Sequence, residues 1–350
     1  MPAREPVRLA AVGLGRWART LADAGTRSER LKIVNCFSRS EKSREEFSRR
    51  YGCRAVKSYA ELLKDSEVEG IIVATPNDAH ARPIEEAAAS GKHVFVEKPI
   101  AHTIEDALAI DRACREAGVI LAVGHNARRL QGSRKIKETL DQGGLGKLVM
   151  AECSFSTDRG LDLTPDQWRG HKEKGQGGPL MQLGVHHVDT LHYLFGAVKS
   201  VTAAAKRLYT PAEIDDVTMT LLEMESGRLC YIGSNWASQG TFYTYVYGMD
   251  ANLYFTVDYN FWSRSAVLDQ HSSLEIQRRG SSERQPILLA QGDILREELE
   301  EFADCIRERK RPEVSGKEGI EALAVIHAAI RSAAERRAVE VKEVLADALA

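Results

Sequence analysis

Glu97-Lys98-Pro99 closes the run Gly91-Lys92-His93-Val94-Phe95-Val96, well downstream of a glycine-rich turn, Gly13-Leu14-Gly15-Arg16-Trp17-Ala18. The turn has the form that seats a dinucleotide pyrophosphate, and a lysine leaving the end of a later strand of the same sheet can reach a reacting carbon. Moving hydride from an alcohol carbon to a nicotinamide requires the hydroxyl proton to leave. A positioned ammonium or imidazole stabilises the developing alkoxide and relays that proton. Lys98 is the first candidate for this role.

In Gly13-x-Gly15-x-x-Ala18 the first glycine permits a tight turn, the second lets the pyrophosphate approach the backbone, and a small third residue lets helix pack on strand. Leu14, Arg16 and Trp17 complete the expected contact set. NAD-binding versions carry an acidic residue about 20 positions on, at the end of the second strand. Here that end reads Phe37-Ser38-Arg39-Ser40, and an arginine between two hydroxyls suits a 2′-phosphate better than a free 2′-hydroxyl. NADP(H) is therefore expected slightly ahead of NAD(H); in the alternative, Arg39 stacks on the adenine while Ser38 or Ser40 holds the ribose. Thr75-Pro76-Asn77 with His80 follows the third strand, again at a carboxyl end, where it can touch ribose and nicotinamide.

The elements that position these residues alternate. Strands are expected at Val7 to Val12, Lys32 to Phe37, Gly70 to Thr75, His93 to Val96 and Val119 to Val123. Helices are expected at Arg16 to Ala24, Glu41 to Tyr51, Asp78 to Ser90 and Ile104 to Ala117, the last capped by Thr103. The rhythm is that of βαβ units, a parallel sheet covered by helices. After Gly124 it changes: one helix at Gln131 to Gln142, then strand-like alternation clearest at Asp216 to Leu221 and Leu229 to Ile232, then helices at Ile294 to Arg309 and Gly319 to Arg336. The expected fold is α/β, with a dinucleotide-binding domain over 1–124 and a substrate-binding and oligomerisation domain over 125–350 built on a large open, mostly antiparallel sheet. Phe155 to Gly178 is a long polar segment of the kind that forms lids and binding loops.

Composition excludes other classes. The 350 residues are 43% hydrophobic and 28% charged, enough for two cores, and 48 basic against 50 acidic side chains leave no net field for nucleic acid or an anionic membrane. Met1 to Pro6 is polar, unlike a secretory signal, and no run reaches the roughly 18 apolar residues of a membrane helix. Cys36, Cys53, Cys114, Cys153, Cys230 and Cys305 are scattered and form no C-x-x-C, as reduced thiols of a cytoplasmic protein would be. The expected partner is a small molecule.

The glycine turn, Thr75 to His80, Gly91 to Pro99, Gly124-His125-Asn126, Gly177 to His186 and Arg311 to Gly316 together resemble the Gfo/Idh/MocA oxidoreductases, over the whole chain. The resemblance implies a Rossmann domain followed by an α/β domain with an open antiparallel sheet. It also implies oxidation or reduction of a secondary alcohol on a sugar, cyclitol or related ring with NAD or NADP. By the same resemblance Glu97 and Lys98 lie beside the nicotinamide ribose, Asn126 and Trp168-Arg169 contact the cofactor, and Lys98 and His186 face the substrate. The family's pattern has an Asp four positions before His186, on the same helix face; here it is Gln182, which hydrogen-bonds but cannot titrate. Lys98 and His186 would then manage the proton alone.

His186, His187, Asp189 and His192 are spaced so that no adjacent pair makes a ready two-ligand site, and no metal is expected. Two other functions stay open: a non-catalytic dinucleotide sensor, and a glycosidase- or epimerase-like enzyme that oxidises its sugar transiently and returns the hydride. Phe242-Tyr243-Thr244-Tyr245-Val246-Tyr247 alternates, placing three tyrosines on one strand face. A tyrosine-rich second face, together with the resemblance, implies a homodimer or homotetramer through the C-terminal sheet.

Overall fold

The structure is a computed structural model that describes residues 5–165, 167–171 and 173–350. Most of the polar start at Met1 to Pro6 lies outside the described residues, as do Asp166 and Lys172 of the long polar segment. The chain forms two compact units. One runs to His125 and takes back Asp293–Ile320; the other comprises Asn126–Gly292 and Glu321–Ala350.

The first unit alternates β1 (Val7–Val12), α1 (Arg16–Gly25), β2 (Leu31–Phe37), α2 (Glu41–Tyr51), β3 (Arg54–Ala55), α3 (Tyr59–Lys64), β4 (Gly70–Val73), α4 (Ala81–Ala89), β5 (His93–Glu97), α5 (Ile104–Glu116) and β6 (Leu121–Gly124). Among the described residues these strands make one parallel sheet in the order β3-β2-β1-β4-β5-β6. The order reverses at β1 and β4, which is where a doubly wound sheet opens a crevice at its carboxyl ends. β4 and β6 are buried throughout, so they read as continuous apolar runs rather than alternating ones. Thr103 caps α5 as expected, its hydroxyl accepting the Asp106 N–H at 3.1 Å. The helix expected over Asp78 to Ser90 divides: a 3₁₀ turn at Asn77–Ala79 closes Ala79 N–H onto Pro76 O at 2.9 Å before the α ladder begins.

In the second unit α6 (Gln131–Asp141), β7 (Leu148–Ser156) and α7 (Val185–Phe195) precede β8 (Val198–Lys206), β9 (Val217–Met224), β10 (Leu229–Asn235), β11 (Thr241–Gly248), β12 (Ala251–Val257), β13 (Ser272–Arg278) and β14 (Gln285–Ile287). The segment expected as a loop from Phe155 begins two residues later, because Phe155 and Ser156 still pair with β11. After α8 (Ile294–Glu308) and α9 (Gly316–Glu335), β15 (Val339–Glu340) and α10 (Val341–Asp347) close the chain. The sheet order is β14-β13-β12-β11-β7-β10-β9-β8-β15, antiparallel except for β7 with β10. One face is core, with Phe155, Phe242, Val246, Leu253, Phe255 and Ile232 buried. The other carries Glu152, Tyr231, Tyr243, Tyr245, Tyr247 and Tyr254, set side by side by the strand register.

Helix α8 belongs to the first unit, which a division of the chain at Gly124 leaves out. Phe302 meets Phe95 with ring centroids 5.9 Å apart, Arg307 pairs with Glu69, and Asp293 both caps α8 and pairs with Arg27 at 2.7 Å.

Candidate active site

At the carboxyl end of β1, Gly13 adopts φ +83°, a left-handed conformation that favours glycine, and an added Cβ would lie 2.7 Å from Thr75 Cγ2. Gly15 has open space where its Cβ would stand, and α1 begins directly after it with no side chain capping its N–H groups. An uncapped helix start beside open backbone is what a pyrophosphate requires. Leu14 is buried in the core, whereas Arg16 is exposed.

The turn after β2 carries no carboxylate at Ser38, Arg39 or Ser40. Arg39 is exposed, Ser40 spends its acceptor on capping α2 through Ser43 N–H at 3.2 Å, and Ser38 donates to Ser40 O at 3.2 Å. Arg44, which the motif reading passed over, braces the turn by donating to Ser38 O at 2.7 Å and Arg39 O at 3.3 Å. Its spacing of one helical turn from Ser40 was the available signal.

At the ends of β4 and β5 the buried polar atoms gather. Asn77 Nδ2 and Glu97 Oε1 are buried without a hydrogen-bond partner among the described residues. Buried polar atoms are satisfied as a rule, so these fit a polar ligand at this end of the sheet, as the bare turn fits its phosphates. Burial pushes the Glu97 carboxyl up to about 7, opposed first by the Lys98 ammonium, then by the nearby Trp17 indole and by Lys98 N–H, which donates to Glu97 Oε2 at 3.2 Å. Lys98 itself is half-buried and precedes a cis bond to Pro99. Thr75 donates its hydroxyl to Ala79 O at 3.1 Å, and Pro76 is half-buried. His80 stands behind this turn, fully buried, with Nε2 3.0 Å from Thr75 O and Nδ1 3.2 Å from Ile100 O; burial lowers its pKa. Its ring ties the β4 turn to the segment after Lys98-Pro99 and so fixes the two relative to each other.

In the second unit Gln182 lies in a π-helical turn, Leu180–Gly184, that leads into α7. Regular i, i+4 geometry therefore does not run from Gln182 to His186, because a π turn holds one residue more than an α turn. His186 is buried against Phe155 (5.6 Å between centroids) and Trp262 (5.2 Å, edge-on), and Trp262 stacks on Phe242 at 5.1 Å. Phe155 also meets Tyr259 at 5.8 Å. Sequence reading missed this aromatic wall, because its members are distant in sequence. His187 is a core residue, its Nε2 donating to Ser154 O at 3.0 Å while burial lowers its pKa to about 4. Asp189 accepts both arms of buried Arg128, at 2.8 and 2.6 Å, and no three metal-ligating side chains cluster among the described residues. Asn126 is buried with neither amide atom hydrogen-bonded among the described residues. Arg169 lies 4.2 Å over the Trp168 ring, in a 3₁₀ turn tied down by Glu213 N–H to Gly170 O at 2.9 Å.

Residues 7–125 match the family model described as the NAD-binding Rossmann fold of the Gfo/Idh/MocA oxidoreductases, and residues 137–341 match that family's C-terminal alpha/beta domain. The chain is 28% identical over 318 residues to the scyllo-inositol 2-dehydrogenase (NADP(+)) of Bacillus subtilis, covering 86% of each, and 26% identical to the inositol 2-dehydrogenase of Rhizobium meliloti, covering 96% and 99%. A crystal structure described as an NADPH-dependent oxidoreductase from Desulfitobacterium hafniense superposes with a TM-score of 0.96 at 43% identity, over 98% of this chain and 100% of that one. With both of its units matched, the chain belongs to the Gfo/Idh/MocA family and is an NAD(P)-dependent oxidoreductase.

Proposed function

We propose that this oxidoreductase interconverts a secondary alcohol and a ketone on a sugar, cyclitol or related cyclic polyol, with NADP(H) favoured over NAD(H), and that Lys98 handles the proton. The observation that carries the reading is Lys98 directly after a buried carboxyl, Glu97, at the carboxyl end of β5 in the dinucleotide-binding unit. The bare glycine turn supports a pyrophosphate, and the absence of an acidic residue at Ser38-Arg39-Ser40 supports a 2′-phosphate. Relatives named for inositols support the substrate class.

When bound, the nicotinamide accepts or returns the hydride. The chain's own residues do the rest. In oxidation the Lys98 amine takes up the hydroxyl proton as the hydride leaves the carbon, and in reduction the Lys98 ammonium stabilises the forming alkoxide and returns that proton to it. Glu97 is held near the midpoint of its titration at neutral pH, so it can balance the lysine charge or share its proton. His186 presents an imidazole fixed between Phe155 and Trp262, and Gln182 offers a neutral hydrogen-bonding amide to a ring hydroxyl. The aromatic wall suits the apolar face of a ring and keeps water from it.

Replacing Lys98 by Met tests the assignment. The expected loss in kcat is roughly 10²–10⁴-fold, the scale of acid-base catalysis, with dinucleotide Kd nearly unchanged. A Lys98→Met enzyme with wild-type kcat on a cyclic polyol would remove the lysine from the mechanism.

A further inference from the structure

We propose that Arg159 is a specificity-determining residue that selects cyclic alcohols bearing an anionic group, a carboxylate or a phosphate. The proposal rests on the reading of the His186 side as the substrate side. Arg159 opens a 3₁₀ turn, Arg159–Asp162, immediately beyond the end of β7. Its guanidinium donates to the Tyr259 hydroxyl at 2.8 Å, and Tyr259 meets Phe155, the ring that also packs on His186. One phenyl ring therefore separates His186 from the Arg159–Tyr259 pair.

Among the described residues no ion pair is made by the Arg159 guanidinium. Its side chain has a single hydrogen-bond partner among the described residues, a neutral phenol. Two neighbouring carboxylates have other donors: Asp158 accepts from Gln239 at 3.4 Å, and Asp258 accepts from Asn260 N–H and Nδ2, each at 3.0 Å. The backbone beneath is fixed on two sides, with Gly160 N–H donating to Trp236 O at 2.9 Å and Thr210 Oγ1 donating to Gly160 O at 2.7 Å. Tyr259 is seated close over Gly240, where an added Cβ would lie 2.8 Å from its Cβ and Cγ. A fixed, exposed guanidinium loses little entropy on binding, and its planar fork matches a carboxylate or phosphate. Gln182 adds to the case, since a neutral amide at that position leaves no carboxylate to repel an anionic substrate.

The test titrates the dinucleotide-saturated protein by calorimetry with D-glucose, D-glucuronate and D-glucose 6-phosphate at low ionic strength, and follows dinucleotide turnover on the same three compounds. One or both anions should bind about 10- to 100-fold more tightly than glucose, the factor of a charge-assisted pair, and the two arms tell carboxylate from phosphate. In Arg159→Met that preference should vanish, and in Arg159→Lys it should return in part. Tyr259→Phe, which frees the guanidinium, should reduce it. Equal binding of all three compounds, or an anion preference unchanged in Arg159→Met, overturns the assignment. Turnover of glucose without any anion preference would defeat Arg159 alone. Anion preference with no turnover of any compound would keep Arg159 and defeat the substrate reading instead.

Discussion

Glu97 shows how much one side chain depends on what surrounds it. The carboxyl is moved from its ordinary 4.5 to about 7, chiefly because burial disfavours its charge. A carboxyl whose folded pKa lies above its unfolded value prefers the protonated state in the fold. Its contribution to stability is fully present below about pH 4.5 and is lost as pH rises through about 7. The loss should amount to about 3 kcal/mol over that window, at the usual ~1.4 kcal/mol per unit. Denaturant unfolding at pH 5 and pH 8 without dinucleotide should show the drop in the wild type and little of it in Glu97→Gln; parallel pH profiles would mean that Glu97 is not protonated in the fold. Residue types and spacing pointed to Glu97 and Lys98, because a strand end followed by proline is a local pattern. They could not reveal Phe155, Trp262 and Tyr259 around His186, since those three are brought together only by strand pairing and a 3₁₀ turn.

Among elements, the β2–α2 turn is the one whose sequence carries the sharpest chemical consequence. Arg44 anchors its carbonyls and Ser40 caps the helix, leaving Arg39 exposed at the strand end. Arg39→Ala should raise the Kd for NADP(H) by about 10- to 100-fold and leave that for NAD(H) within a few-fold, as loss of a charge-assisted contact does. Fluorescence titration with both dinucleotides decides it: tighter NAD(H) binding in the wild type would mean that Arg39 serves the adenine. Most elements of the first unit were legible because βαβ repeats place apolar runs, caps and glycines at regular intervals, as Thr103 before α5 illustrates, whereas β3 and α3, of two and six residues, are too short to show a period. The π turn carrying Gln182 was not legible either. An extra residue in a helical turn leaves no mark in composition or period, and only packing reveals it.

At the scale of the whole molecule, the open face of the second sheet is the feature that calls for a partner. Met219, Leu221 and Leu229 are 55%, 47% and 48% exposed on the same face as Tyr231, Tyr243 and Tyr245, and grouped exposed apolar side chains of this kind mark interfaces. A second copy of the chain is the expected cover, giving a dimer or tetramer. Light scattering at micromolar concentration should report it, and Asp at both Tyr243 and Tyr245 should shift it to monomer. A monomeric wild type would refute the interface. Alternation showed that the tyrosines share a face; which face lies open depended on where the helices pack. The return of Asp293–Ile320 to the dinucleotide-binding unit bears on how the protein is made. On the ribosome, residues up to His125 emerge long before the helix whose Phe302 covers Phe95 and whose Arg307 holds Glu69. The unit that emerges first is therefore completed nearly last. A nascent chain paused before residue 293 would present an unfinished apolar patch beside β5, the strand that ends at Glu97 just before Lys98, as a target for chaperones.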